Sequence, residues 1–264
     1  MRRWMALSIM ALVVTSTAFA QDSRLRRLTT GEDARAWEAV GRLNIGGTGF
    51  CTGALIAPDM VLTAAHCLFD KKTGKRIDRA DIEFLAGWRD GRASAYRSVK
   101  LAVVHPDYTY GGNVGSGGVG TDLALLQLDL PIRDGRIRPF PTQAKPQRGT
   151  KVAVVSYGKG RSEAPSLQEL CSVLALQQGM LVTSCTVESG SSGAPVFMIE
   201  DGQVQIVSVV SAKAEVDGQA VSLSTSLGLQ LAELQAEMLA LQYKSRNSLL
   251  AGARRDTGAK FLKP

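Results

Sequence analysis

Short runs of β-branched and aliphatic residues recur along this chain, each closed by glycine, proline or another turn-forming residue. They are Phe50–Leu55, Met60–Thr63, Ile82–Ala86, Ser98–Val104, Leu123–Leu128, Lys151–Tyr157, Ala194–Met198 and Val204–Val210. Runs of this length and spacing suit short strands and predict an all-β sandwich or a pair of barrels. One segment departs from the pattern. Across residues 226–243, Leu227, Leu231, Leu234, Met238 and Leu241 fall at intervals of four and three, which lays one apolar stripe along a helix. The proline-bearing stretch Asp134–Arg148 is the expected link between an N-terminal and a C-terminal half, and the glycine-dense stretch Gly111–Gly120 is an expected mobile loop. Within it Gly115, Gly117 and Gly120 match the spacing of a dinucleotide-binding fingerprint. That fingerprint requires a helix next, whereas the following residues read as a strand, so the match is read as chance.

Arg2 and Arg3 precede an apolar run from Met5 to Val14, and Ala18-Phe19-Ala20 precedes Gln21. This is the layout of a cleavable signal peptide, and the run is shorter than the ~20 residues needed to span a bilayer. Residues 1–20 are therefore read as a leader cleaved near Ala20, with no stable membrane anchor, in a chain exported to the periplasm or beyond. The 244 residues that follow suffice for one large all-β domain or two small ones. Losing Arg2 and Arg3 lowers the formal charge from +7 to +5, with 29 basic residues against 24 acidic ones. The cations are scattered without interleaved aromatics, apart from a loose cluster from Lys244 to Lys263. They are read as favouring solubility, not nucleic-acid binding.

An exported chain with Cys51, Cys67, Cys171 and Cys185 is expected to hold two disulfides. Three pairings are open. The local ones, Cys51 with Cys67 and Cys171 with Cys185, are favoured because each closes a short loop, worth ~3 kcal/mol in the chain-entropy account. Zinc is the rival reading of Cys67 beside His66, but paired Cys-x-x-Cys spacing and a second nearby histidine are lacking.

A serine hydroxyl is a poor nucleophile at neutral pH, so acyl transfer by serine needs a base beside it and a group that orients the base. Histidine suits the first role, and the chain has only His66 and His105. His66 follows a strand-like run and precedes Cys67, whose disulfide would pin the backbone beside the imidazole. His105 precedes Pro106 and reads as a structural strand exit. Asp122 opens an apolar strand, where a carboxylate is costly to bury without a hydrogen-bonding partner such as histidine. Ser192 lies in Gly190-Ser191-Ser192-Gly193, where glycines permit a tight turn that exposes the hydroxyl and converges nearby amides. The amides of Gly190 and Ser192 are the expected oxyanion donors.

Taken together and in this order, Thr63-Ala64-Ala65-His66-Cys67, Asp122-Leu123-Ala124-Leu125-Leu126 and Gly190-Ser191-Ser192-Gly193-Ala194-Pro195 resemble the signature segments of trypsin-like peptidases of the chymotrypsin superfamily. Phe50-Cys51-x-Gly53-x-Leu55-Ile56, Val103-Val104-His105-Pro106-x-Tyr108 and Ile206-Val207-Ser208 extend the likeness to roughly residues 28–243. It implies two packed six-stranded antiparallel β-barrels, about 28–135 and 149–225, a C-terminal helix over 226–243, and a basic tail over 244–264. It further implies a serine endopeptidase with the triad His66, Asp122 and Ser192 and an acyl-enzyme intermediate, acting on proteins or peptides as a monomer. No metal or organic cofactor is implied, though a loop calcium site and a proteinaceous inhibitor are compatible with the resemblance. The alternative is a silent homologue that uses the fold as a secreted binding module. An α/β-hydrolase is excluded by order, since no histidine follows Ser192.

The chain also departs from that family. Trypsin-like enzymes usually carry an aspartate before the nucleophile, which pairs with a new N-terminus after zymogen cleavage; here that residue is Ser191. The segment from Arg27 to Ala34 still resembles an activation site, yet activity is expected not to depend on cleavage, as in bacterial relatives. Alignment to the family motif places Thr186 at the base of the specificity pocket, Val210 on its wall, and Ser208 on a substrate-pairing strand beside Asp122. An uncharged base argues against Arg or Lys preference. Val207, where glutamyl-specific relatives carry histidine, argues against Glu. Small or medium uncharged side chains are expected at the cleaved position.

Overall fold

The structure, a computed structural model, describes residues 25–47, 49–112, 116–142 and 146–253. The proposed leader lies outside the described residues. A short strand, β1 (Leu25–Arg27), leads into the turn helix α1 (Gly31–Ala34), capped by Thr30, whose Oγ1 accepts from Asp33 N. Six strands then close a barrel: β2 (Val40–Ile45), β3 (Gly49–Ala57), β4 (Met60–Thr63), β5 (Ile82–Ala86), β6 (Ala95–Val104) and β7 (Ala124–Leu128), hydrogen-bonded in the ring order β2-β3-β4-β7-β6-β5. The second ring runs β8-β9-β10-β13-β12-β11. It comprises β8 (Lys151–Ser156), β9 (Ser166–Gln177), β10 (Met180–Thr183), β11 (Pro195–Glu200), β12 (Gln203–Val216) and β13 (Gln219–Ser226). Pairing of β8 with β9 closes this ring, and β1 pairs alongside β9. The expected two six-stranded antiparallel barrels are therefore present.

Between β6 and β7 the short helix α2 (Ser116–Gly120) occupies part of the stretch expected to be a loop. The long helix α3 (Gly228–Ala253) ends the described chain. Leu227, Leu231, Leu234 and Met238 are buried, as their periodicity requires, while Leu241 is exposed. The helix continues past Lys244 into the segment read as a basic tail.

The barrels meet through an aromatic cluster. Phe140 packs edge-on to Phe197 at 4.7 Å between ring centroids, and Trp37 lies 5.0 Å from Phe197. The expected linker is thus not a free spacer: Phe140 is buried and its amide donates to Leu55 O at 2.9 Å. Both local disulfides are formed, Cys51–Cys67 and Cys171–Cys185, with Cα separations of 6.2 and 5.2 Å. Cys51 and Cys67 therefore offer no thiolate to a metal. His105 is structural: it is buried, its Nδ1 accepts from Asp107 N at 3.3 Å, and its Nε2 lies 2.9 Å from a Glu233 carboxylate oxygen on α3.

Candidate active site

The first barrel carries a paired histidine and aspartate. Strand β4 ends at Thr63, whose hydroxyl donates to Thr52 O at 2.9 Å, and a 3₁₀ turn over Ala65–Leu68 then swings His66 toward the second barrel. The Cys51–Cys67 bridge ties this turn to β3. Asp122, just before β7, is 3% exposed. One of its oxygens accepts from His66 N at 2.8 Å, and the other lies 2.6 Å from His66 Nδ1. The pair fixes the imidazole with Nε2 as its outer nitrogen, which touches only Cys67 Sγ, at 3.9 Å, among the described residues.

The second barrel carries Ser192. Ser192 sits in the turn before β11, between Gly190 (φ 98°) and Gly193 (φ 78°), both in the left-handed region that favours glycine. Gly193 is fixed by sterics as well, because a Cβ there would strike Thr63 Oγ1 and Thr52 O. The carbonyls of this loop are spoken for: Ser192 O accepts from Thr52 N at 2.8 Å, and Gly190 O accepts from Thr52 Oγ1 at 2.9 Å. The amides of Gly190 and Ser192, and the Ser192 hydroxyl, have no hydrogen-bond partner among the described residues. Free, fixed donors beside a free hydroxyl are the arrangement that binds an oxyanion.

Two threonines brace the barrels reciprocally. Thr52, on β3, holds the nucleophile loop and also accepts from Tyr157 N at 3.1 Å. Thr225, on β13, donates to Val119 O at 2.6 Å and Asp122 O at 3.1 Å, the backbone carrying the acid. Both are fully buried. Nearby, burial and the Asp122 charge push the Tyr108 phenol well above its ordinary range.

A cleft of about 110 Å³ opens beside Ser192, lined by Val187, Glu188, Ser189, Val210, Ala212 and Lys213, together with Ser211. Val210 is on its wall as expected. Thr186 is not its base: its amide donates to Gln168 Oε1 at 3.0 Å and its side chain is engaged with the same residue, outside the cleft. Ser208 is also misplaced by alignment. It is fully buried and donates to Thr225 O at 2.7 Å, whereas Ser211 Oγ donates to Asp122 Oδ2 at 2.5 Å. A β-bulge between Val210 and Ala212 in the β12–β13 pairing turns Ser211 toward the acid. The repeat of serine at 208 and 211 was the available signal, and Ile206-Val207-Ser208 matched the wrong one.

Residues 29–225 match the family model described as Trypsin. Serine protease 23 of Bos taurus is 28% identical over 163 residues, 56% of this chain and 43% of that protein. Serine protease 56 of Mus musculus is 30% identical over 137 residues, 49% of this chain and 20% of that protein. The chain spans less than half the length of these relatives. A solved structure, "Structure of Glu endopeptidase in complex with MPD", shares the fold with a TM-score of 0.64 at 19% identity, over 82% of this chain and 97% of that one. Because the family match takes in nearly the whole of both barrels, the chain belongs to the trypsin family.

Proposed function

We propose that this chain is an exported serine endopeptidase of bacterial type, with His66, Asp122 and Ser192 as its triad. The observation that carries the reading is the Asp122–His66 pair at 2.6 Å, its carboxylate buried and its imidazole partly exposed, in the same fold as a loop whose serine hydroxyl and two amides are unengaged among the described residues. Ser192 Oγ attacks the scissile carbonyl carbon while His66 Nε2 takes its proton, and the amides of Gly190 and Ser192 hold the oxyanion. Collapse breaks the C–N bond as His66 returns the proton to the leaving amine. Water, deprotonated by the same nitrogen, then opens the acyl-enzyme and regenerates Ser192. Asp122 holds the imidazole through its Nδ1 side and stabilises the imidazolium that forms.

The cleft favours a small or medium uncharged side chain, because Val187, Val210 and Ala212 line it. At its rim Lys213 and Glu188 lie 3.5 Å apart and offset each other's charge. With Ser211 as the serine beside Asp122, the residue before it is Val210, which again gives no histidine for a glutamyl substrate. Export rests on the leader-like first 20 residues and on the two disulfides. Among the described residues no helix is long and apolar enough to cross a membrane.

A fluorophosphonate probe tests the reading. The oxidised wild-type protein is expected to be labelled and Ser192→Ala is not; an unlabelled wild type favours a binding module instead. A peptide library cleaved preferentially after Arg, Lys or Glu would overturn the specificity.

A further inference from the structure

The nucleophile loop rests on a cation. Arg161, on the turn between β8 and β9, reaches beneath it: Nη1 donates to Ser156 O at 2.6 Å, and Nη2 to Ser156 Oγ and Ser191 Oγ, both at 2.9 Å. Ser191 is fully buried, and its hydroxyl also accepts from Glu188 N at 3.4 Å and lies 3.2 Å from Tyr157 O. The same turn clamps the loop a second time, through Lys159 N to Ser189 O at 2.7 Å. Gly158 makes room for the guanidinium, since a Cβ there would fall 2.8 Å from Cζ, Nε and Nη2 of Arg161.

This placement is costly. Arg161 Nε is buried without a hydrogen-bond partner, and no carboxylate is within ion-pair distance of the guanidinium among the described residues. Burial lowers its pKa, with Glu188 acting in the opposite sense. A guanidinium remains charged under such conditions, so its desolvation is a cost that packing alone does not require.

We infer that Arg161 is a positioning residue for the oxyanion loop, a permanent internal cation that fixes Glu188–Ser191 and leaves the Gly190 and Ser192 amides aimed at substrate without any chain cleavage. The inference rests on the peptidase reading above. The region of the activation-like segment agrees with it. Arg27 lies within β1, opposite Ser166 of β9, and its guanidinium is 3.3 Å from Asp90. The next residue, Leu28, is fully buried and its amide donates to Pro165 O at 2.9 Å. The chain passes through this point paired and packed, and Ser191 offers no carboxylate to an ammonium.

The test measures kcat and KM on a chromogenic peptide for wild type, Arg161→Ala, Arg161→Lys, Gly158→Ala and Arg27→Gln, with Tm for each. Arg161→Ala is expected to lose kcat about 10- to 100-fold, short of or equal to the loss of one oxyanion donor, while KM stays within about threefold. Millimolar guanidinium, but not equimolar sodium chloride, should restore much of that loss, and Arg161→Lys should retain more activity than Arg161→Ala. Gly158→Ala needs only the far end of a flexible side chain to move, so it should fold and lose kcat in the same direction even if Arg161→Ala does not. Arg27→Gln should match wild type. The inference fails if Arg161→Ala and Gly158→Ala keep wild-type kcat, if Arg27→Gln loses activity, or if guanidinium restores nothing to a folded Arg161→Ala. A wild type that turns nothing over sinks the peptidase reading as well, whereas an active wild type indifferent to Arg161 sinks this inference alone.

Discussion

The two barrels prepare their halves of the site in different ways. In the first, the functional groups hold each other: Asp122 accepts from the backbone and ring of His66 and from Ser211, so the carboxylate itself is locked. In the second, the functional hydroxyl of Ser192 is left free, and only the surrounding backbone is held, by Thr52 from the opposite barrel and by the turn from Gly158 to Arg161. A base must present one nitrogen in one tautomer, which demands fixed partners. A nucleophile and its oxyanion donors must be available to substrate, so their support has to come from behind.

The largest effects should come from deleting either end of this arrangement. Ser192→Ala and His66→Ala should each remove about 10⁶-fold in kcat, and the double variant should be little worse, because the two act as one unit. Additive losses, read from kcat on one substrate, would break the comparison. Asp122→Asn should cost about 10⁴-fold. The asparagine can still accept from His66 N, but its amide would donate to Nδ1 and leave the proton on Nε2, the nitrogen that must receive one from Ser192. A loss under about tenfold would show that His66 keeps its tautomer by other means.

The reciprocal threonines sharpen the contrast. Thr52→Val leaves Gly190 O and Tyr157 N unpaired in a buried site, a cost of about 1–3 kcal/mol per group, and it loosens the loop that carries both oxyanion donors. Thr225→Val takes one of two donors from Val119 O, which keeps the Asp122 amide, and the side-chain donor from Asp122 O, yet the Asp122 carboxylate keeps His66 and Ser211. Both variants should lower Tm, but only Thr52→Val should lower kcat markedly, by about tenfold. Equal kcat losses would mean that the acid half also depends on its backbone brace.

The chain itself reveals much of this, unevenly. Residues whose chemistry is rare in the sequence are the most legible: of the two histidines, His66 beside Cys67 is the one that meets Asp122, and Ser192 stands in its glycine turn with a hydroxyl unengaged among the described residues, which is what the proposed triad requires. The strands Met60–Thr63 and Ile82–Ala86 were read to the residue, because each is a compact β-branched or aliphatic run. Strands β9 and β13 are hidden from the pattern because Gln168, Ser172, Ser222 and Ser224 interrupt the apolar run; all but Ser172 are buried, and Gln168 and Ser222 find polar partners inside the second barrel, in Thr186 and Thr183. Support from behind was the least legible. Thr52, Thr225 and Arg161 act across separations of 138, 103 and 30 residues, and nothing local distinguishes them from any other threonine or arginine. Thr186 and Ser208 depart from the alignment for separate reasons: Thr186 is engaged with Gln168, and the bulge at Val210–Ala212 shifts the register on which Ser208 was placed.

The smallest effects should separate Ser211 from Ser208. Ser211→Ala removes one hydrogen bond from a carboxylate that keeps two from His66, so kcat should fall by about 3- to 10-fold with Tm nearly unchanged, the bond being worth about 1.5–3 kcal/mol at most. Ser208→Ala removes a donor from Thr225 O inside the second barrel, about 1 kcal/mol, and should lower Tm slightly while leaving kcat alone. The two residues are three apart on one strand, so surface charge, expression and labelling efficiency are held constant between the variants. If Ser208→Ala lowers kcat and Ser211→Ala does not, the bulge at Val210–Ala212 does not present Ser211 to the acid in solution. The family motif would then have been read in the correct register at Ser208 after all.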